Sequence, residues 1–182
     1  MGCSQSTRIE PEALTPEDSR TIRETWKLLG KEAYGEFGTR LMLRIFQKHP
    51  DIKALWQTPR AMNNAPTTVN NDNDDGQPKS ENRWKMDLRN HGSKFFISIE
   101  ELITHIDNPE DLFRHLEQIG ARHKTYGVKT EHIQAVVEGF NHTMEFGLKD
   151  KWTDNRQKAF GRLINIIVAR INRAIDGKTD DK

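Results

Sequence analysis

The sequence is short of several features, and each shortage excludes a class of protein. One cysteine in 182 residues rules out an internal disulfide and a cysteine-rich metal site. No apolar run approaches the roughly 18–20 residues that a membrane span needs, and no apolar stretch follows Met1 as in a secretory signal. The 28 basic and 27 acidic residues leave a net charge of +1, too weak to recruit nucleic acid. We therefore expect no nucleic-acid partner and a reducing, cytosolic setting.

Strand-like alternation is also missing, whereas helix signals recur along the chain. Thr15, Asn108, Thr130 and Thr153 are predicted helix caps, and Pro50 is a predicted helix stop. The sequence predicts a first helix from Pro16 with a stripe reaching Ala33, a second over 34–48, and four more over 84–106, 109–123, 130–148 and from 154 onward. The predicted fold class is all-α.

Between the second helix and the next long one, the composition changes. Residues 57–80 read QTPRAMNNAPTTVNNDNDDGQPKS and are dominated by Asn, Asp, Thr, Pro and Gly. Such a segment cannot bury enough apolar surface to pack. We predict a flexible loop insertion within one domain over 14–176, with flexible ends at 1–13 and 177–182.

The first six residues, MGCSQS, match the N-myristoylation pattern, with Gly2 as the acceptor. An ordinary N-terminus is the alternative interpretation. A single myristoyl chain binds membranes with K of only about 10⁴ M⁻¹, so lasting attachment needs a second signal. The nearby Arg8 and Arg20 are outweighed by acidic residues, which leaves palmitoylation of Cys3. The motif predicts a dual acyl anchor that holds the protein at the cytosolic leaflet, with the plasma membrane as the first candidate.

Two histidines lie on apolar helical stripes. His91 belongs to a stripe spaced three, four, four, three and four, formed by Leu88, His91, Phe95, Ile99, Leu102 and Ile106. His123 ends the stripe Leu112, Leu116, Ile119 and His123. A satisfied core histidine is one interpretation of each. A flat cofactor whose metal takes axial imidazoles is the other. We expect the remaining five, His49, His105, His115, His132 and His142, at the surface or at helix ends.

Four features of the chain can be compared with known families: the helix with Trp26, the run LMLRIFQKHPDIKALW, the pair His91-Gly92 and the run IGARHKTYGVK. Together they resemble the globin family over about residues 14–175. Within that family, the chain is most similar to the neuroglobins and to the acylated, membrane-attached globins. The resemblance implies a globin fold and haem b (iron protoporphyrin IX) as the cofactor. It makes His123 the proximal iron ligand, whose second ring nitrogen should be held by a carbonyl or side chain. It makes His91 the distal histidine.

Further pocket residues follow from the same resemblance. Trp56 takes the place of the usual Phe that clamps the haem edge, and Phe95 replaces a smaller aliphatic residue and should crowd the distal side. Lys94 matches a position whose ammonium reaches a haem propionate, with a solvated surface lysine as the alternative. The remaining expected lining residues are Met42, Phe46, Ile119, Val128 and Ile133.

The implied function is that of a haem protein that binds O₂ or other diatomic gases and acts in redox or gas signalling, through a bis-histidyl haem, with an unknown redox partner. No dedicated substrate site is expected, so we do not predict an enzyme. Two alternatives stay open: a five-coordinate oxygen store or sensor, and a haem-free interaction module with the same fold.

Overall fold

The structure is a computed structural model, and it describes residues 13–56 and 81–177. Its helices are α1 (Pro16–Trp26), α2 (Tyr34–Lys48), α3 (Pro50–Trp56), α4 (Glu81–Thr104), α5 (Pro109–Thr125), α6 (Thr130–Leu148) and α7 (Asp154–Ile175). Short 3₁₀ turns cover Lys31–Ala33 and Lys149–Lys151. No strand occurs in the described residues, and the all-α prediction is confirmed there.

Three predicted helix ends are confirmed with their physical causes. The Thr15 hydroxyl accepts a hydrogen bond from the backbone N–H of Asp18 at 3.1 Å, and the Asp18 carboxylate accepts one from the N–H of Thr15 at 2.9 Å. Asn108 caps α5 through a weaker 3.5 Å bond from the N–H of Asp111. Helix α2 spans Tyr34–Lys48 as predicted. Reciprocal caps of this kind satisfy N–H groups that a helix start leaves unpaired.

Other boundaries differ from the prediction. Helix α1 ends at Trp26, because the chain tightens into 3₁₀ bonds there and Gly30 takes an extended conformation, so the stripe to Ala33 crosses a break. Lys129, and not Thr130, occupies the cap position of α6, where its N–H donates to Nδ1 of His132 at 3.1 Å. Thr153 occupies the cap position of α7, but its side chain makes no capping hydrogen bond.

Helix α4 also differs slightly from its predicted span of 84–106, since it begins at Glu81 and ends at Thr104. The predicted loop over 57–80, the acylation positions Gly2 and Cys3, and all but one residue of each predicted flexible end lie outside the described residues. Among the described helices, none is both long and apolar enough to cross a membrane.

The core is built around the aromatic ring of Phe96 in α4. Phe96 is fully buried and lies against Trp26 of α1 at 5.9 Å, Tyr34 of α2 at 5.7 Å and Phe140 of α6 at 6.4 Å between ring centroids. Phe160 of α7 closes the cluster, 5.7 Å from Phe140. Rings at such separations pack favourably beyond the area they bury. One cluster thus ties five helices together.

Two glycines set the crossing of α2 and α4. A Cβ added at Gly38 would overlap the backbone of Gly92, and one added at Gly92 would overlap the backbone of Gly38. The two helices therefore touch backbone to backbone, which only glycine permits. Because Gly92 follows His91 directly, this contact also fixes where His91 leaves the helix.

Candidate functional site

His123 lies in the last turn of α5, with its ring held by the helix itself. Its Nδ1 is 2.8 Å from the carbonyl oxygen of Ile119, one turn earlier, so Nδ1–H donates to that carbonyl. This is the kind of backbone partner that the sequence led us to expect. The bond selects the tautomer whose Nε2 carries a free lone pair, which is the form that binds a metal.

The chain reverses immediately after His123. The carbonyl of His123 accepts hydrogen bonds from the N–H groups of Tyr126 at 3.0 Å and Val128 at 3.2 Å. Gly127 adopts φ +79°, a left-handed conformation that glycine takes without strain. The turn brings Val128 and the start of α6 beside the end of α5. It therefore positions apolar side chains near the His123 ring.

Both stripe histidines have a lowered pKa. Burial lowers the pKa of His123, the charge of Arg122 lowers it further, and the bond to Ile119 partly opposes the shift. The pKa of His91 falls from 6.5 to about 4, first through burial and then through the positive charges of His123 and Lys94. Both imidazoles are therefore neutral at physiological pH, as metal binding requires.

The two histidines approach each other from different helices. His91 lies in α4 and His123 in α5, and both are half-buried. The charge of His123 is one cause of the lowered pKa of His91, after burial, so the two rings lie within electrostatic range of each other. The sequence predicted this approach from two separate stripes. Two neutral imidazoles are a donor set that fits a transition metal such as iron.

Trp56, at the end of α3, lies directly against His91. The ring centroids are 4.7 Å apart, and the planes meet at 69°, an edge-on contact. Trp56 also lies 6.1 Å from Phe46, which in turn lies 6.3 Å from Trp84 of α4. An aromatic group therefore flanks His91, and the clamp on the cofactor edge that the sequence predicts for Trp56 stays a prediction.

The remaining expected lining residues divide by burial. Four of the expected residues are half-buried and pack against the edge of the core: Trp56, Phe95, Ile119 and Val128. Those that are fully buried are Met42, Phe46 and Ile133. Half-buried apolar side chains next to two neutral imidazoles leave apolar surface for a flat, largely apolar cofactor to cover. Their individual roles stay predictions.

Lys94 is exposed on α4, one turn after His91. It is close enough for its charge to lower the pKa of His91. An exposed ammonium beside the site suits an acidic group at the edge of a cofactor. The propionate contact implied by the globin resemblance stays a prediction.

The other five histidines lie at the surface or near helix ends. His105 and His142 are exposed, His49 caps the end of α2, and His115 is partly exposed on α5. His132 is the most buried, with 11% of its side chain exposed, and its Nε2 lies 3.4 Å from Asp51 at the start of α3. It links α6 to α3 and does not reach toward His91 through any described contact.

Two features of the site were not predicted. Trp84, two turns before His91, packs against Phe46, and its apolar spacing from His91 was available in the sequence as a signal. The Gly38–Gly92 contact was also missed, because a glycine in a helix indicates close approach only once its partner helix is known.

Comparison with known proteins places this arrangement in context. The globin family model matches residues 39–171. The chain is 23% identical over 162 residues to neuroglobin of Danio rerio, covering 89% of this chain and 92% of that protein. It is 24% identical over 171 residues to neuroglobin of Tetraodon nigroviridis, covering 94% of this chain and 98% of that protein.

A solved structure shares the fold. It is the crystal structure, at pH 4, of a hexacoordinated heme protein from an anhydrobiotic tardigrade. The TM-score is 0.71 at 19% sequence identity, and the alignment covers 90% of this chain and 96% of that chain. The predicted fold and the resemblance to neuroglobins are therefore confirmed, whereas the likeness to acylated, membrane-attached globins stays a prediction.

Proposed function

The chain belongs to the globin family and its cofactor is haem, and from this premise we propose that His123 and His91 are the axial ligands of a six-coordinate haem iron. Bound haem supplies a redox-active iron that also binds O₂ or another diatomic gas, as globins do. The observation that carries the proposal is the pair of neutral, mutually close imidazoles on α4 and α5.

His123 acts as the permanent, proximal ligand. Its Nδ1–H donates to the Ile119 carbonyl, which keeps the Nε2 lone pair pointed away from the helix backbone. The bond also holds the ring orientation and makes the imidazole a stronger donor. The turn at Gly127 ends α5 here and limits how far the ring can move.

His91 acts as the distal, exchangeable ligand. It remains neutral because burial opposes its protonation, as does the nearby positive charge of Lys94. No hydrogen bond to its ring occurs among the described residues, and the ring of Trp56 lies against it at a centroid distance of 4.7 Å. His91 must move aside before an external gas takes its position. Phe95, half-buried one turn further along α4, narrows the space into which a gas enters.

A five-coordinate oxygen store or sensor is the second candidate, in which His91 only hydrogen-bonds the gas. The crowding by Trp56 and Phe95 favours direct ligation by His91, because little room is left for a gas beside an unligated ring. The structural neighbour is itself described as hexacoordinated, which agrees with this preference.

The absorption spectrum of the purified ferrous protein tests the proposal. Sharp, low-spin bands are expected for bis-histidyl iron. Broad, high-spin bands would instead establish the five-coordinate store or sensor. Absence of a Soret band after reconstitution with haem would leave only a haem-free interaction module.

We further propose that the protein works in redox or gas signalling beside a membrane partner and does not carry oxygen in bulk. The support is the MGCSQS motif, in which Gly2 takes myristate and Cys3 takes palmitate. An anchored protein cannot shuttle oxygen by free diffusion, but it can exchange electrons or report gas levels locally. The redox partner is not identified by any residue of the chain.

Membrane fractionation of protein tagged at the C-terminus tests the anchor. Gly2→Ala should move the protein to the soluble fraction, and Cys3→Ser should leave weak, reversible binding, because one acyl chain gives only marginal affinity. Ser4→Ala is the matched control and should stay on membranes. Full membrane retention of Gly2→Ala would show that acylation is not the anchor.

A further inference from the structure

A basic groove of about 500 Å³ lies along the solvent side of α2, where α4 and α6 flank it. It is separate from the haem site, because α2 turns Met42 and Phe46 inward and presents the groove residues outward. The residues that matter for its chemistry are Glu36, Arg40, Leu43, Arg44, Arg89 and His142.

Arg40 is held rigid while its donors stay available. Its guanidinium carbon lies 3.3 Å from the centroid of the Phe146 ring, a stacked cation–π contact. The Nε atom of Arg40 is shielded from water and has no hydrogen-bond partner among the described residues. A ligand cannot reach that shielded atom, so the donors that Arg40 can offer to the groove are its terminal guanidinium nitrogens.

Arg44 repeats the pattern one turn further along α2. Its Nη2 donates to Glu138 of α6 at 2.8 Å, which fixes the guanidinium in place. Its Nε is likewise shielded from water and unpartnered within the part of the chain that the structure describes. Its Nη1 also lies 3.5 Å from Oε1 of Gln47, so Arg44 is a fixed positive group whose donors are largely used within the protein.

Arg89 of α4 is the third arginine that lines the groove, on the flank opposite α6. Its guanidinium lies over Gly35 of α2, where a Cβ in place of the glycine hydrogen would come within 2.8 Å of its Nε. The absence of a side chain at Gly35 thus makes room for Arg89. The groove gathers charge from two helices, which a single basic helix face would not do.

The charges of the groove do not cancel. Glu36 is its one acidic lining residue, and Glu138 is already shared between Arg44 and Lys48. Arg44 is thus balanced by Glu138, and the remaining charges of the lining are Arg40 and Arg89 against Glu36. We propose that this groove binds a phosphate group, whose several oxygens can accept from the guanidinium groups of Arg40 and Arg89, with Arg44 as an adjacent positive group.

The phosphate has two possible sources, a soluble phosphorylated molecule or the headgroup of a phosphorylated lipid. Titration calorimetry with inorganic pyrophosphate tests the first source. Sedimentation with phosphatidylcholine vesicles that contain phosphatidylinositol bisphosphate tests the second, with plain phosphatidylcholine vesicles as the blank. The full-length, haem-loaded and unacylated protein is used in both, so that no acyl chain contributes to binding.

Arg40→Gln and Arg89→Gln should each weaken binding about tenfold, because each removes a charge-assisted hydrogen bond. Glu36→Gln should strengthen it by removing the repelling carboxylate. Arg20→Gln, an exposed arginine on α1, is the matched control and should change nothing. The haem spectrum of every variant reports that it is folded.

Arginine-dependent binding of pyrophosphate supports the soluble source, and arginine-dependent binding of the phosphoinositide vesicles alone supports the lipid source. The proposal is overturned if neither probe binds. It is equally overturned if Arg40→Gln, Arg89→Gln and Arg20→Gln bind both probes with the affinity of the wild type.

Discussion

Two adjacent phenylalanines in α4 face two different kinds of interior. Phe96 is fully buried in the aromatic cluster that joins α1, α2, α6 and α7. Phe95 is half-buried beside His91, although it contacts both Phe96 at 5.5 Å and Phe140 at 6.3 Å. The side of α4 around Phe96 is the closed side of the molecule, and the side around His91 and Phe95 is its open side.

The difference shows how one helix serves two purposes. The closed side is complete with protein atoms alone, since its rings cover one another. The open side leaves apolar surface of Trp56, Phe95, Ile119 and Val128 partly uncovered around two neutral imidazoles. A cofactor that covers this apolar surface gains about 25 cal/mol of free energy per Å² that it buries. Stability and haem binding should therefore respond to different residues.

The largest expected effect comes from removing the proximal ligand on the open side. His123→Ala should abolish stable haem incorporation, with partial rescue by added imidazole, because the iron loses its one fixed protein donor. The Soret absorbance after reconstitution measures it. His115→Ala, on the same helix but away from the site, is the control. A wild-type spectrum for His123→Ala would show that the ligand assignment is wrong.

The comparison itself is tested by a matched pair of truncations. Phe96→Ala should lower the free energy of unfolding by about 3–5 kcal/mol, because it leaves a cavity in the closed side. Phe95→Ala should cost about 1 kcal/mol, since the side chain is only half-buried, but it should speed gas binding. Urea unfolding and flash photolysis measure the two effects. Equal losses of stability from both variants would contradict the division of α4 into two sides.

A smaller effect concerns a polar contact on the closed side. Asp18 is 3% exposed and receives two hydrogen bonds from Arg162, at 2.6 and 3.0 Å, which with the Thr15 bonds lower its pKa to about 2. A carboxyl with a lowered pKa stabilises the fold above its unfolded pKa near 3.8. The stabilisation is lost as pH falls from there toward 2.

Asp18→Asn should therefore cost about 2 kcal/mol at neutral pH. The difference in unfolding free energy between the wild type and the variant should shrink between about pH 4 and pH 2. Urea unfolding across that range measures it. A difference that stays constant down to pH 2 would show that the carboxylate charge is not the source of the stabilisation. The haem spectrum should not change, because Asp18 lies on the closed side.

The smallest effect is expected at the rim of the open side. Lys94→Gln should speed haem loss about two- to fivefold, because an exposed ion pair with a propionate contributes little. Lys158→Gln, on the exposed face of α7, is the control. Transfer of haem to an excess of apomyoglobin measures the rate. An unchanged rate would leave Lys94 as a solvated surface lysine.

Much of this organisation is readable from sequence because it depends on local chemistry. Thr15 and Asn108 cap their helices, α2 ends before Pro50, and the stripes of His91 and His123 predict the burial that lowers the pKa of both rings. The different burial of Phe95 and Phe96 could not be predicted from the sequence, because the burial of neighbouring apolar residues on a helix depends on which other helices pack against them. The Gly38–Gly92 contact and the early end of α1 depend on tertiary packing in the same way.

The central claim is that His91 ligates the iron at rest, and the rate of carbon monoxide binding to ferrous protein tests it most directly. In the wild type, the observed rate should saturate as carbon monoxide rises, because dissociation of His91 becomes limiting. His91→Leu should give a five-coordinate ferrous spectrum and a rate that rises linearly with carbon monoxide. A linear rate in the wild type, together with a high-spin ferrous spectrum, would contradict the account.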